Sequence, residues 1–318
     1  MIASEPMNDM IEGTPIGTAS RIELTHGVLQ RLANRCGADL LHVKGPAVSP
    51  DLLARRVANG EEIVIPRHST DADVLVRPEH LAQFESMLVN HGWRKVADFR
   101  NGSAFGHAAN YWHELLGYVD VHRQFPGIDI APSPAFQALW TRRQGIDIAH
   151  TPIHTPSVTD QRLILLLHAA RSGNPNHPDK VRCWDDASDQ ERQTVRTLAR
   201  DLDAQVALAA AIGELEQYRG HRTYDLWRQF STGDPSRLHE WRARVRAAPT
   251  RKEAVKVVLN SLALNRPHLR MDLGHDLTRA DIARGYWNRT VKASQEVLQV
   301  VRKHINKQLD PRHRRGHR

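Results

Sequence analysis

The chain has 318 residues, 40% of them hydrophobic and 25% charged, with a formal net charge of +8. That composition supports ordinary buried cores and the length predicts two domains, while the longest apolar run, Leu163-Ile164-Leu165-Leu166-Leu167, falls well short of the ~18 residues a membrane span needs. Two lone, distant cysteines, Cys36 and Cys183, argue against a disulfide framework or a cysteine zinc site, and with no apolar leader at the start they predict a cytoplasmic protein.

Residues 1–19 read as a flexible start. Ser20 then precedes a run in which Val28, Leu29, Leu32 and Cys36 recur at helical spacing, and Gly37 ends it. Residues 39–46 form a short strand that delivers Lys44 into a turn at Gly45. A glycine lets backbone approach a ligand and a lysine beside it offers a mobile positive charge, a pairing suited to a triphosphate. Residues 46–66 predict a partly helical, arginine-containing connection that ends in a short edge strand, Ile63-Val64-Ile65, stopped by Pro66.

The stretch Arg67-His68-Ser69-Thr70-Asp71-Ala72-Asp73-Val74-Leu75-Val76 begins polar and ends in the β-branched, apolar composition of a buried strand. On a strand, side chains alternate faces, so Asp71 and Asp73 point the same way. Two such close carboxylates repel each other unless a cation lies between them, and all-oxygen ligands suit magnesium, with substrate phosphates completing its shell. Gly117-Tyr118-Val119-Asp120-Val121-His122 is a second alternating strand. Laid beside the first, it adds Asp120 and completes a three-carboxylate cradle for two metals. His122 shares a face with Asp120 and is expected to hydrogen-bond a carboxylate. Removing either Asp71 or Asp73 is expected, if anything, to stabilise the metal-free protein.

Between these strands, Pro78 opens a helix with Leu81, Phe84, Met87 and Leu88 on one stripe and Gly92 at its end. Residues 93–99 and 105–113 read as strands around an Asn101-Gly102 turn. The result is an α+β fold: a mixed-sheet core with flanking helices over residues 20–150.

Leu41-His42-Val43-Lys44-Gly45, the Arg67-to-Val76 stretch, the proline-led helix ending at His91-Gly92-Trp93 and Val119-Asp120-Val121-His122 together resemble the uncharacterised nucleotidyltransferase family of the polymerase-β-like nucleotidyltransferase superfamily. The resemblance implies magnesium-dependent transfer of a nucleoside monophosphate from an NTP, ATP foremost, to an acceptor hydroxyl, with release of pyrophosphate. It implies Asp71, Asp73 and Asp120 as catalytic, metal-binding residues, and Lys44, Gly45, Arg67 and Ser69 as nucleotide-binding ones. The superfamily's usual Gly-Ser element ahead of the acidic pair is missing, because the chain's Gly102-Ser103 comes after it. The alternative reading is a catalytically inactive or toxin-like protein of this fold that binds RNA or a protein partner.

Other chemistries fit worse. His113-Glu114-Leu115-Leu116-Gly117 begins like a zincin helix but has glycine where the second histidine belongs. There is no Gly-x-Ser-x-Gly elbow and no Walker lysine loop. From Ser157 onward, residues 151–300 read as an all-helical domain, with start signals at Ser157 to Asp160, Thr250 to Glu253 and Thr278 to Asp281. Trp184, Trp227, Trp241 and Trp287 are expected to pack in it rather than stack on bases. The tail, 301–318, holds seven Lys or Arg against one acid, Asp310, and could draw nucleic-acid phosphates. The acceptor is open between a small molecule, a protein hydroxyl and an RNA end.

Overall fold

The computed structural model describes residues 16–58, 61–99, 105–233, 237–262, 264, 266–273, 275, 277–288 and 291. The Asn101-Gly102 turn, the Gly102-Ser103 pair, most of the 1–19 segment and the 301–318 tail lie outside them. The chain divides into two units between Val257 and Val258.

The first unit is built on a five-stranded mixed sheet in the order β1 (Leu40–Val43), β4 (Asp71–Val76), β7 (Gly117–His122), β6 (Ala108–His113) and β5 (Arg94–Ala97). β4 and β7 run parallel and the other neighbours antiparallel. Two hairpins stand apart from it, β2 (Ala54–Ala58) with β3 (Glu61–Ile65), and β8 (Gln144–Ile148) with β9 (Thr151–Thr155). The 46–66 connection is thus two short 3-10 turns, Gly45–Ala47 and Pro50–Leu52, and a full hairpin. Ile63-Val64-Ile65 pairs with β2 and not with the main sheet, in an antiparallel ladder that sets Arg56 opposite Ile63 and Arg55 opposite Val64.

Strand alternation sorts β4 between two cores. Ala72, Val74 and Val76 face the helices α1 (Thr18–Cys36) and α2 (Leu81–Asn90), joining Leu29, Leu32, Phe84, Leu88 and Trp93. Leu75 faces the other way, with Leu41 and Val43 of β1, into a core filled by Leu163 to Leu167 of α4 (Val158–Ala169). Each fully buried aliphatic side chain contributes about 1.5–3 kcal/mol, so α4 is firmly docked on the sheet face that carries Asp71 and Asp73. Ser157 caps α4, its hydroxyl accepting from the Asp160 N–H.

α3 (Pro132–Thr141) precedes the β8–β9 hairpin, and α5 (Pro178–Lys180), α6 (Asp189–Asp201), α7 (Gln205–Ile212), α8 (Tyr224–Ser231) and α9 (Arg237–Ala247) follow α4. Trp227 is buried and Trp184 packs half-buried against the same core. α10 (Arg251–Leu262) leads into the second unit, which contains α11 (Arg266–Leu273) and a capped start where the Thr278 hydroxyl accepts from the Asp281 N–H. Trp287 is 70% exposed there and does not pack as expected. Helical spacing tells which residues share a face, but not whether anything covers that face. Among the described residues no helix is long and apolar enough to cross a membrane.

Candidate active site

The register of three strands assembles the acidic site. In the parallel β4–β7 ladder Asp73 stands opposite Asp120, and Leu75 opposite His122. In β1–β4, Val43 stands opposite Asp73, so the next residue, Lys44, leaves the strand beside that carboxylate. Lys44 Nζ sits 2.6 Å from Asp73 Oδ1, and His122 Nε2 donates to the same oxygen at 2.8 Å. That bond fixes the proton on Nε2 and leaves the buried Nδ1 of His122 without a partner. On the far side, β6 pairs Asn110 with Asp120, and the Asn110 amide donates a short hydrogen bond to Asp120 Oδ1. One ligand atom each from Asp73, Asp120 and His122 lies within 4.8 Å of the others.

The three carboxylates differ in charge balance. Burial works to raise Asp73, but Lys44 and then His122 outweigh it, and its carboxyl lies well below the usual range. Among the described residues no cation contacts Asp71; burial, then the charges of Asp73 and Asp120, push it up to about 6. Asp120 is raised as well, by burial and then by Asp73. The repulsion left on Asp71 and Asp120, beside an Asp73 already balanced by Lys44, is what a divalent cation bound by carboxylate oxygens would relieve.

Lys44 and Gly45 form the turn ahead of the site with positive φ angles of 61° and 51°. A lysine in this region is strained, which marks the turn as held in place by its surroundings. Part of that support is a buried chain under it. Gln30 Nε2 donates to Asn34, so Gln30 Oε1 accepts from His42 Nε2 at 3.1 Å, and His42 Nδ1 in turn receives the His26 Nδ1 proton at 2.7 Å. Burial, opposed by Asp73, lowers His26 to about 4, keeping it neutral. The turn also closes on the acidic stretch: a Cβ on Gly45 would lie 3.3 Å from Ser69 Cβ and 3.4 Å from its hydroxyl. The Ser69 hydroxyl donates to the Asp71 carbonyl at 2.7 Å. A glycine and a serine far apart in sequence therefore meet just ahead of the acidic pair.

Arg67 is not gathered onto the carboxylates. Its Nε and Nη2 bind Asp179 in a two-pronged pair at 3.1 and 3.0 Å, and His168 Nδ1 lies 3.3 Å from the same carboxylate. Asp179, from α5, was not singled out by the sequence, nor were Asn110, His107, His26 or Arg171. The run from Arg162 to His168 is an apolar helix whose last polar residue points at the site, a weak signal for His168 only. The others carry none, because their positions depend on cross-strand register or on how α4 docks.

Residues 23–217 match the family described as "Uncharacterised nucleotidyltransferase", and the chain belongs to that family; by class it is a nucleotidyltransferase. No curated protein matches the sequence. Among solved structures, the lincosamide antibiotic adenylyltransferase LnuA with lincomycin bound aligns at 15% identity over 57% of this chain and 96% of that chain, with a TM-score of 0.32. The antibiotic-resistance factor ANT(2'')-Ia aligns at 15% identity over 64% of this chain and 96% of that one, TM-score 0.35. An antigenic nucleotidyltransferase-like protein from Paracoccidioides brasiliensis aligns at 16% identity over 61% and 94%, TM-score 0.36.

Proposed function

We propose that the protein transfers a nucleoside monophosphate from a magnesium-bound NTP, ATP foremost, to an acceptor hydroxyl of a small molecule, a protein or an RNA end, releasing pyrophosphate. The observation that carries this reading is the parallel register that sets Asp73 against Asp120 with Asp71 two residues earlier on the same face. Asp71, Asp73 and Asp120 would hold the magnesium, which supplies charge stabilisation to the attacking and leaving oxygens.

The chain's own residues do the rest by positioning and electrostatics. His122 and Asn110 fix the orientation of the Asp73 and Asp120 carboxylates from opposite sides. Gly45 and Ser69, touching across the turn, offer backbone and hydroxyl contacts to phosphate in place of the missing Gly-Ser element. Lys44, now on Asp73, is free to turn toward phosphate once a cation takes up the carboxylate's charge. Arg67, aligned by Asp179, flanks the approach. Residues 20–150 would form the nucleotide-handling part, and the helices from 151 on in the same unit would frame the acceptor.

The test is calorimetric titration of each NTP with and without magnesium, in the wild type and in Asp71→Ala and Asp73→Ala. Folded variants that bind magnesium NTP as tightly as the wild type would refute the metal assignment. Incubation with labelled NTPs and candidate acceptors then identifies the acceptor class.

A further inference from the structure

Arg171 follows α4 and lies on the wall of the acidic site. Its Nη1 is 3.3 Å from His107 Nε2 and its guanidinium carbon 5.9 Å from the centre of the Phe125 ring. The His107 and Phe125 rings lie 5.0 and 5.9 Å from the ring of His122, the residue that holds Asp73. The guanidinium is thus separated from the catalytic carboxylate by a thin layer of rings.

What sets Arg171 apart is its charge balance. Arg67, Arg77, Arg162 and Arg244 each form an ion pair, with Asp179, Asp39, Glu191 and Glu240, although Arg244 Nε also lacks a hydrogen-bond partner. Arg171 makes none among the described residues, and its Nε is sealed from solvent with no hydrogen-bond partner. Burial lowers its proton affinity, and only the more distant charges of Asp73 and Asp120 act against that. A half-buried cation without a counter-ion carries a desolvation cost. The cost falls away when an anion with several acceptor oxygens arrives, since a guanidinium presents a planar fork of donors suited to phosphate.

The surroundings point to the same class of ligand. His168, in the last turn of α4, is lowered to about 4 by burial, against its bond to Asp179, and then by the cations Lys44, Arg171 and Arg67. Lys44 follows β1, Arg67 lies ahead of β4 and Arg171 follows α4, so cations from the sheet side and the helical side both act on His168. We propose that Arg171 is a phosphate-binding residue that receives the distal phosphates of a polyphosphate chain, completing from the helical side a lobe begun by Lys44 and Arg67. The inference rests on the nucleotidyl-transfer reading for its substrate, but the anion site itself does not require transfer.

The experiment measures binding of magnesium tripolyphosphate, pyrophosphate and orthophosphate to the full chain by calorimetry, in wild type, Arg171→Met and Arg171→Lys, with circular dichroism melts to establish folding. The wild type should bind the three in descending order, and Arg171→Met should weaken tripolyphosphate by at least about tenfold while orthophosphate changes little. Arg171→Lys, which keeps the charge and loses the fork, should fall between, and it carries the test should the methionine variant not fold. A merely structural arginine would lower the melting point and leave the ratio of tripolyphosphate to orthophosphate affinity at its wild-type value; that outcome overturns the proposal, as does a wild type that fails to bind tripolyphosphate. Arg171-dependent tripolyphosphate binding without any NTP transfer would sink the transfer reading alone.

Discussion

Two aspartates on one strand face should shift stability in opposite directions when neutralised. In Asp73→Asn, the Lys44 ammonium and the His122 ring lose the carboxylate they share at 2.6 and 2.8 Å, in a site where Asp73 is 2% exposed. Removing one partner of a buried charge pair costs about 3–5 kcal/mol. Asp71 has no such partner. A carboxyl raised from 3.8 to about 6 corresponds to a charged form disfavoured in the fold by up to about 3 kcal/mol. Asp71→Asn removes that penalty and keeps an oxygen for the Ser69 hydroxyl, which reaches Asp71 Oδ1 at 3.3 Å. The charge balance therefore argues that loss of Asp71 stabilises the metal-free protein and that loss of Asp73 destabilises it. In thermal melts at pH 7.5 with a chelator, Asp71→Asn should rise by a few degrees and Asp73→Asn should fall by about 10 °C. The sign also depends on pH. Because the folded value of Asp71 lies above its unfolded one, its penalty is complete above about pH 6 and absent below about pH 4, so the Asp71→Asn gain should vanish on acidification. Variants that shift the melting point in the same direction at pH 7.5 would refute this division of charge.

Asp120→Asn should still bind magnesium NTP through Asp71 and Asp73, while transfer falls by orders of magnitude; calorimetry and a labelled-NTP assay would separate the two, and wild-type turnover would remove Asp120 from the site. Gly45→Ala places a Cβ at φ 51° against Ser69, which should cost about 1–2 kcal/mol of stability in denaturant melts and weaken NTP affinity. His26 and His168, each held neutral at about 4, take up protons on unfolding, so stability should be full above about pH 6.5 and fall as the pH drops toward about 4; measured between pH 6.5 and 5 in the Asp71→Asn background, a flat profile would contradict their buried, neutral state. Deletion of residues 302–318 should lower RNA affinity and flatten its salt dependence if the basic tail carries nucleic-acid contact, and unchanged binding in a salt titration would exclude that role.

The acidic strand could be read from residues alone because its signal is local. Asp71, Asp73 and the Val-Leu-Val that follows obey a period of two, and the same period fixes which core each residue joins. The pairing of β4 with β7 was legible only as a supposition, since nothing in either strand specifies its neighbour; the parallel register Asp73 to Asp120 is a property of the whole sheet. The missing Gly-Ser element shows the limit most clearly. As a string it is absent, yet Gly45 and Ser69 meet in space because β1 and β4 are antiparallel neighbours and the turn after Val43 folds back over the start of β4. The hairpin strand Ala54–Ala58 escapes pattern for a related reason: its two arginines are adjacent, Arg55-Arg56, and interrupt any alternation of apolar and polar residues, so no hydrophobic period betrays it. Arg171 and Asp179 lie further still from the reach of pattern. Each is one charged residue at the end of a helix, and what gives it meaning is a balance of charge across the fold: Asp179 satisfies Arg67, whereas among the described residues no acid pairs with Arg171. Local periodicity therefore identifies the groups that carry negative charge into the site, while Arg171, unlike Lys44 and Arg67, gains meaning only once the helical layer is docked on the sheet.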